Sequence, residues 1–290
     1  INSMHEKRFI QLLDYIDRHL GEELSVDRLS HQAGLSKFHF HRQFSAIFGI
    51  GISTYIRFIR LKKASYQLAY RLNTRVIDIA LENGYESSEA FSRAFKQSYV
   101  QSPSSFRRRP DWEKWESIFK PISELRVLAQ QQENPQFKVQ IVEFEPVPVA
   151  IMDHCGPLVL LGDTIRAFIE WRKKNRLSPD RSRTFNLLYN DPEPMDDKGF
   201  RFGLCAEVFE EIKNLPENVY LSEIPAGICA VVRFKGIDDM IGEVARYLYS
   251  DWLSERQYTL RDFPLFLERI EFFPNVPEHE AVTDIYLPIQ

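Results

Sequence analysis

Two arginine side chains have the most specific hydrogen-bonding chemistry in this sequence. Arg42 and Arg93 each follow a serine by six residues, and polar or aromatic side chains surround both. A guanidinium group can donate two parallel hydrogen bonds to the O6 and N7 atoms of a guanine. The candidate DNA-contacting residues form two sets: Ser36, Lys37, Phe38, His39, His41 and Arg42, and Ser87, Ser88, Glu89, Ser92 and Arg93.

The neighbours of these arginines suit other parts of a duplex. Glu89 is expected to accept a hydrogen bond from a cytosine N4 amine, and Phe38 to contact a thymine methyl group. Lys37 is better suited to a phosphate. Alternatives stay open: each arginine could pair with a carboxylate inside its own domain or hold a phosphate, and His39 and His41 could face solvent without contacting bases.

Two carboxylates in the last quarter of the chain form a second candidate site. Glu268 lies in the middle of an apolar stripe on a predicted strand, and Asp284 has the same setting on the final strand. A buried carboxylate is costly unless it is paired or neutralised, so an aromatic cavity floored by acids would suit an organic cation. Alternatively, Glu268 bonds a neighbour of Arg269 or a core tyrosine. The candidate effector-binding residues are Glu268, Ile270, Asp284, Tyr286, Trp252 and Tyr189.

The elements that position the two arginines form an internal repeat. A shift of 51 residues places Ser36 on Ser87 and Arg42 on Arg93, and upstream a shift of 50 places Gly34 on Gly84. Each unit has a short helix, a glycine turn, a serine N-cap and a second helix with aromatic residues at every fourth position. Those buried aromatic positions are Phe40, Phe44 and Phe48 in the first unit, and Phe91, Phe95 and Tyr99 in the second.

A longer helix is predicted between the two units, over residues 54–70. It would be a rod of about 25 Å. A rod of this length can hold two recognition helices at a separation comparable with one turn of DNA, roughly 34 Å. One chain is therefore expected to bind an asymmetric site without forming a two-fold dimer.

The charge distribution agrees with this interpretation. The whole chain has a formal net charge of −4, but residues 1–110 hold 17 Lys and Arg against 10 Asp and Glu, and the remainder holds 20 against 31. A basic half joined to an acidic half is typical of a nucleic-acid-binding module fused to a domain that does not bind nucleic acid.

The second half predicts an α+β domain. A strand pair, a helix and a further strand pair occur twice after residue 136, which favours helices packed on a mostly antiparallel sheet. We therefore predict a multidomain chain: an all-α tandem helix-turn-helix domain over residues 5–110, a linker over 111–135, and the α+β domain over 136–290.

The first domain resembles the DNA-binding domain of the AraC/XylS family of transcriptional regulators. The motifs that carry this resemblance are Ile79-Ala80, Asn83 to Ser87, Phe91 to Lys96, Pro103 and Phe106-Arg107. Val100 stands where the family usually has glycine, and Ile52 where proline is frequent. These departures predict that the chain leaves the two recognition helices with a different local geometry.

The second domain resembles the GyrI-like effector-binding domain. The resemblance depends on Trp252-Leu253, on Pro264 followed by Glu268, and on the closing segment from Thr283 to Ile289. Ser254 to Tyr258, and Ile270 after Arg269, depart from the family pattern, which predicts an unusual ligand. The order of the domains resembles the right-origin-binding subgroup of regulators.

Together these patterns predict a cytoplasmic transcription regulator that is not an enzyme. The expected partners are double-stranded promoter DNA, a cationic or aromatic small-molecule effector and RNA polymerase, with no membrane, cofactor, metal or catalytic residue. Two alternatives remain. One is an architectural DNA-binding protein whose C-terminal domain binds another protein; the other is a small-molecule hydrolase in which Glu268 and Asp284 act as acid and base.

Overall fold

The computed structural model of the chain describes residues 4–132, 137–190, 200–210, 212 and 215–290. The chain divides into two compact units, residues 1–135 and 136–290. The first unit is helical and the second contains an eight-stranded sheet. The predicted multidomain fold, an all-α domain followed by an α+β domain, is confirmed.

Eight helices build the first unit in its described part. In chain order they are α1 (Met4–Arg18), α2 (Val26–Gln32), α3 (Lys37–Phe48), α4 (Ile52–Tyr70), α5 (Val76–Glu82), α6 (Ser88–Tyr99), α7 (Pro103–Arg108) and α8 (Trp112–Gln132). Helices α2 and α3 form the first helix-turn-helix pair, and α5 and α6 form the second.

Local sequence explains where α3 and α6 begin. The hydroxyls of Ser36 and Ser87 each accept a hydrogen bond from a backbone amide in the first turn of the helix that follows. Gly34 and Gly84 have left-handed φ angles of 64° and 75°, which lets the chain turn sharply between paired helices. The predicted aromatic stripes lie in the core, although Phe48 is only half-buried.

Helices α3 and α6 end in the same way, contrary to the expectation raised by Val100. Gly49 ends α3 with φ 71° and ψ −2°, and Val100 ends α6 with φ 63° and ψ −9°. The geometry is conserved because the cap amide still bonds the carbonyl of Lys96, as the Gly49 amide bonds that of Ser45. A β-branched residue in this conformation is strained, so the departure changes the energy of the turn rather than its shape.

Helix α4 is slightly longer than predicted and runs through the core. Tyr55, Leu61, Ala64 and Leu68 are fully buried along it. In the described part of the chain no single helix is long and apolar enough to cross a membrane; α3 and α4 meet those criteria of length and composition only as a pair bent by 60°.

The segment predicted as a linker is instead a helix that belongs to the first unit. Helix α8 buries Trp112, Phe119 and Ile122, and Phe119 packs against Tyr99 at the end of α6 with ring centroids 5.7 Å apart. Further along α8, Arg126 pairs with Asp14 of α1. The helix therefore contacts elements at both ends of the tandem unit, because its apolar residues recur at helical spacing.

The second unit contains eight strands and two helices in its described part. The elements are β1 (Val139–Phe144), β2 (Val147–Cys155), α9 (Leu161–Lys174), β3 (Thr184–Leu188), β4 (Arg201–Glu207), β5 (Tyr220–Ile224), β6 (Gly227–Lys235), α10 (Ile241–Tyr247), β7 (Leu265–Glu271) and β8 (Val282–Pro288). A π-helical turn, Leu248–Trp252, follows α10.

The strand order confirms the predicted repeat and adds an exchange between its two halves. All neighbouring strands are antiparallel, in the order β1-β6-β8-β7-β3-β4-β2-β5. Each repeat contributes four strands, β1 to β4 or β5 to β8. Counted inward from either edge of the sheet, the strands are the first, second, fourth and third of their own repeats. The first strand of each repeat therefore pairs with the second strand of the other repeat, and the two repeats form one sheet.

The two faces of the sheet have different neighbours. Ala150, Met152 and Leu204 form one apolar cluster with Phe168 and Trp171 of α9. The residues that alternate with them belong to a second cluster on the opposite face. That second face carries Glu268 and is called the Glu268 face below.

Candidate functional site

The predicted DNA-contacting residues lie on the outer surface of α3 and α6. Phe38 is 85% exposed, which is unusual for a large aromatic residue. His39, His41 and Arg42 are also exposed on α3. On α6, Glu89 and Arg93 are exposed, while Ser87, Ser88 and Ser92 are half-buried. The two helices therefore expose an arginine at the same position of the repeat, with different neighbours around it.

Both arginines are available for a ligand. Within the described residues neither the Arg42 nor the Arg93 side chain has an ion-pair or hydrogen-bond partner. The alternative in which they pair with carboxylates of their own domain is therefore wrong for this structure. Lys37 differs, because it forms an exposed ion pair with Asp27 of α2. Such a pair is weak and can exchange for a phosphate.

Glu89 and the capping serines have defined local roles. A hydrogen bond from the backbone amide of Glu89, followed by one from the Ser87 hydroxyl, lowers the pKa of the Glu89 carboxyl. The charged carboxylate is a pure acceptor, as cytosine N4 recognition requires. Ser36 and Ser87 act first as N-caps, and Ser88 donates to Glu89 over 3.4 Å.

Sequence reasoning missed two residues on the outward surface of α6. Lys96 and Gln97 are exposed and follow Arg93 by three and four positions, so they lie on the same side of the helix. Helical spacing from Arg93 was a sufficient signal for both residues. They extend the polar surface by one turn toward the C-terminus.

Glu268 is buried, as predicted, but it is paired. Its side chain is 11% exposed, and Arg183 donates to it from Nε over 2.7 Å and from Nη2 over 2.9 Å. The Tyr286 hydroxyl donates to Oε2 over 3.4 Å. The alternative in which Glu268 bonds a core tyrosine therefore holds for Tyr286. The main partner of Glu268 is Arg183, which the sequence patterns did not predict.

Aromatic rings surround this ion pair. Phe266 and Tyr286 are stacked with centroids 4.8 Å apart, and Phe144 contacts both rings. The Arg183 guanidinium lies 4.8 Å from the ring centroid of Phe185 and 5.9 Å from that of Phe144. Burial raises the pKa of the Tyr286 hydroxyl, and the charge of Glu268 adds to this effect, so Tyr286 stays a neutral donor.

Asp284 lies opposite Glu268 on the neighbouring strand, and it also has an arginine partner. Arg233 donates to its two oxygens over 2.7 and 2.6 Å. The Arg233 side chain is 69% exposed and stacks on no ring among the described residues. Both predicted acids are thus neutralised by arginines, but of these two arginines only Arg183 contacts aromatic rings.

Tyr189 belongs to another polar group that borders the same apolar cluster. Arg201 lies 3.9 Å from its ring centroid and pairs with Asp153 over 2.5 Å. Tyr220 donates to the same Asp153 oxygen over 3.1 Å. Burial raises the pKa of the Tyr189 hydroxyl, so this tyrosine also stays neutral.

Two of the predicted effector residues are not brought to Glu268. Trp252 lies on the π-helical turn and stacks on Tyr258 with centroids 5.9 Å apart. Ile270 is 43% exposed and falls at an irregularity in the β7–β8 pairing, between Arg269 and Glu271. A bulge breaks the period of two, which explains why strand alternation misplaced Ile270.

The fold and these surfaces define a class of protein: a DNA-binding regulator joined to a small-molecule-binding domain. The model of the GyrI-like small molecule binding domain matches residues 137–290, just over half of the chain, and that of a helix-turn-helix domain matches residues 29–109. The chain belongs to the GyrI-like family, with an AraC-type DNA-binding domain at its N-terminal side. It is a transcription regulator of that type.

Relatives match this chain over different shares of its length. The "Probable transcriptional regulator YgiV" of Escherichia coli (strain K12) is 32% identical over 54% of this chain and 98% of its own length. The "Right origin-binding protein" of the same strain is 41% identical over 35% of each chain. Among solved structures, EcmrR in its DNA complex is 16% identical over 90% of this chain and 84% of its own, with a TM-score of 0.46.

Proposed function

We propose that α3 and α6 are the recognition helices, with Arg42 and Arg93 as their base-contacting residues. The observation that carries this proposal is the repeated exposure of an unpaired arginine at the same position of two equivalent helices. Residues near the N-terminus of a recognition helix contact base edges, while its C-terminal part packs inside the domain. The charge excess of residues 1–110 supplies attraction to phosphates.

Replacing either arginine is expected to weaken specific binding. Arg42→Ala or Arg93→Ala should cost about 1–3 kcal/mol on the preferred duplex and relax selectivity at one base pair each, because a bidentate contact to a base is lost. The preferred duplex is first selected from a random library with the intact protein. Affinities of each variant are then measured on that duplex and on single-base variants of it.

Lys37→Ala is the contrasting variant. A phosphate contact carries no sequence information, so this change should weaken all duplexes alike and reduce the salt dependence of binding. Equal losses on selected and random DNA for both arginine variants would contradict the base-contact assignment. Unchanged affinity would show that these helices do not enter the groove.

We propose further that the Glu268 face is the effector site and binds an aromatic organic cation at Glu268. Support comes from a buried carboxylate surrounded by the rings of Phe144, Phe185, Phe266 and Tyr286, a combination of acid and π surface that attracts cations. Occupancy of this site then changes the affinity for DNA or the contact with RNA polymerase. Only a ligand that binds two states of the protein unequally can shift such an equilibrium.

Glu268→Gln tests the cation site. The amide keeps the size of the side chain but removes its charge, so N-methylquinolinium should bind at least about tenfold more weakly, a difference of roughly 1.4 kcal/mol. Calorimetry on the intact chain measures the affinity, and binding to the selected duplex serves as the control for an intact fold. Cation affinity that is unaffected by this change would place the effector site elsewhere.

A further inference from the structure

The guanidinium of Arg183 occupies the position where an effector cation would bind. It lies beside two aromatic rings, 4.8 Å from the centroid of Phe185 and 5.9 Å from that of Phe144, and forms two hydrogen bonds to the buried carboxylate of Glu268. A planar, delocalised cation over π faces and against an acid has the features expected of an aromatic cationic ligand. The site is therefore filled by a side chain of the protein itself.

We propose that Arg183 is an internal competitor, and that an effector cation binds by displacing its guanidinium from Glu268. This inference rests on the proposed cation site. It adds a gate to that site: binding requires the ion pair with Arg183 to open. The observed affinity for a cation is then the intrinsic affinity reduced by the fraction of molecules in which the pair is open.

The geometry allows the side chain to leave while its backbone stays in place. The Arg183 side chain is 41% exposed, against 11% for Glu268, so the guanidinium can reach water by rotation of its own side chain. The carbonyl of Arg183 accepts from the Glu207 amide over 3.0 Å. Arg172 also holds the adjoining loop through Ser182 and Thr184. A displaced arginine therefore needs no rearrangement of β3.

The gate also defines which ligands open the site. A competitor must replace two interactions of the guanidinium: the positive charge that neutralises the carboxylate and the contact with the rings. A compact ammonium ion supplies the charge but covers little of the ring surface, whereas a flat aromatic cation supplies both. A neutral aromatic of the same shape cannot satisfy the carboxylate once Arg183 has left. The effector class is thus restricted to aromatic or strongly apolar cations.

Binding of N-methylquinolinium to the intact chain tests the gate, with neutral quinoline at slightly alkaline pH as the ligand of matched shape. Arg183→Ala should bind the cation about tenfold more tightly than the original protein, since no competitor remains. Arg183→Lys should fall between the two, because an ammonium retains the charge without the bidentate, stacked geometry. Quinoline should gain far less than the cation from either change.

Arg233→Ala is the matched control, because it also unpairs a buried carboxylate, that of Asp284, without an aromatic enclosure. Asp284 lies opposite Glu268, so a small gain in cation affinity is expected, well below the tenfold gain of Arg183→Ala, because this change uncovers no ring surface. Equal tightening in this control would overturn the proposal, because the gain would then reflect net charge alone. Weaker or unchanged binding in Arg183→Ala would overturn it too, and Arg183→Lys decides the matter if the alanine variant does not fold.

The possible outcomes distinguish a failure of the Arg183 gate from a failure of the proposed cation site at Glu268. If the original protein binds the cation and Glu268→Gln loses it, but Arg183→Ala gains nothing, the site stands and the gate is wrong. If no variant binds the cation, the proposed cation site itself fails, and the gate with it. Binding that appears only in Arg183→Ala and disappears again in Arg183→Ala/Glu268→Gln would support both.

Discussion

Arg126→Ala is expected to lower the free energy of unfolding of the first unit by about 3–5 kcal/mol, the usual cost of removing one partner from a buried ion pair. The Arg126 side chain is 5% exposed and donates to Asp14 over 2.7 Å, and Asp17 lies 3.4 Å away. Burial opposes its charge, but the attraction of Tyr55, Asp17 and Asp14 raises the pKa of Arg126 overall. Without the guanidinium, two carboxylates are left close together near the core.

Native-state hydrogen exchange of the intact chain measures this loss, because it resolves the opening free energy of α1 and α8 from that of the sheet. The matched control is Arg75→Ala. Arg75 also donates to a carboxylate over 2.7 Å, that of Asp78, but its side chain is 77% exposed, and no measurable loss is expected. Similar losses in the two variants would mean that burial does not govern the strength of the Arg126 pair.

The second large effect is expected for Gly84→Ala. An added Cβ would lie 2.5 Å from the carbonyl oxygen of Leu20 and equally close to the Arg60 side chain, and φ at this position is +75°. A left-handed conformation costs a residue with a side chain about 1–2 kcal/mol. Displacing packed backbone adds about 1–3 kcal/mol. Arg60 worsens the conflict because it also bonds the Leu20 carbonyl, over 2.9 Å.

Gly34→Ala separates these two contributions. Gly34 has the same place in the repeat and a φ of +64°, but its nearest neighbour would be an arginine nitrogen at 3.6 Å. This variant should therefore lose only the conformational part, about 1–2 kcal/mol. Hydrogen exchange of α4 and α6 in both variants gives the comparison. Equal losses would show that the contact between Gly84 and Leu20 relaxes without cost.

The linker predicted over residues 111–135 shows a limit of local sequence reasoning. The run Gln130 to Pro135 near its end suggested an exposed connection, yet apolar residues at helical spacing pack α8 against α1, α4 and α6. Apolar spacing describes which side of a helix is buried, but not the surface that covers it. Several distant elements combine to form that surface, so it exists only after the rest of the unit has folded.

The sequence by itself determined the elements that depend on neighbouring residues. Serine caps, glycine turns and aromatic residues at every fourth position determined the tandem helix-turn-helix units, and alternation determined most of the strands and the burial of Glu268. It also placed Arg42 and Arg93 on outward surfaces, because their helical positions lie between the buried aromatic residues.

Only the tertiary structure decided which strands and charges meet. Glu268 and Arg183 are 85 positions apart, and they meet because β7 pairs with β3 in the register that sets Phe185 opposite Glu268. Alternation of apolar residues defines the two faces of a strand but not the identity of its neighbours. The exchanged first strands and the arginine over the aromatic rings both follow from such non-local pairing, which local sequence patterns do not encode.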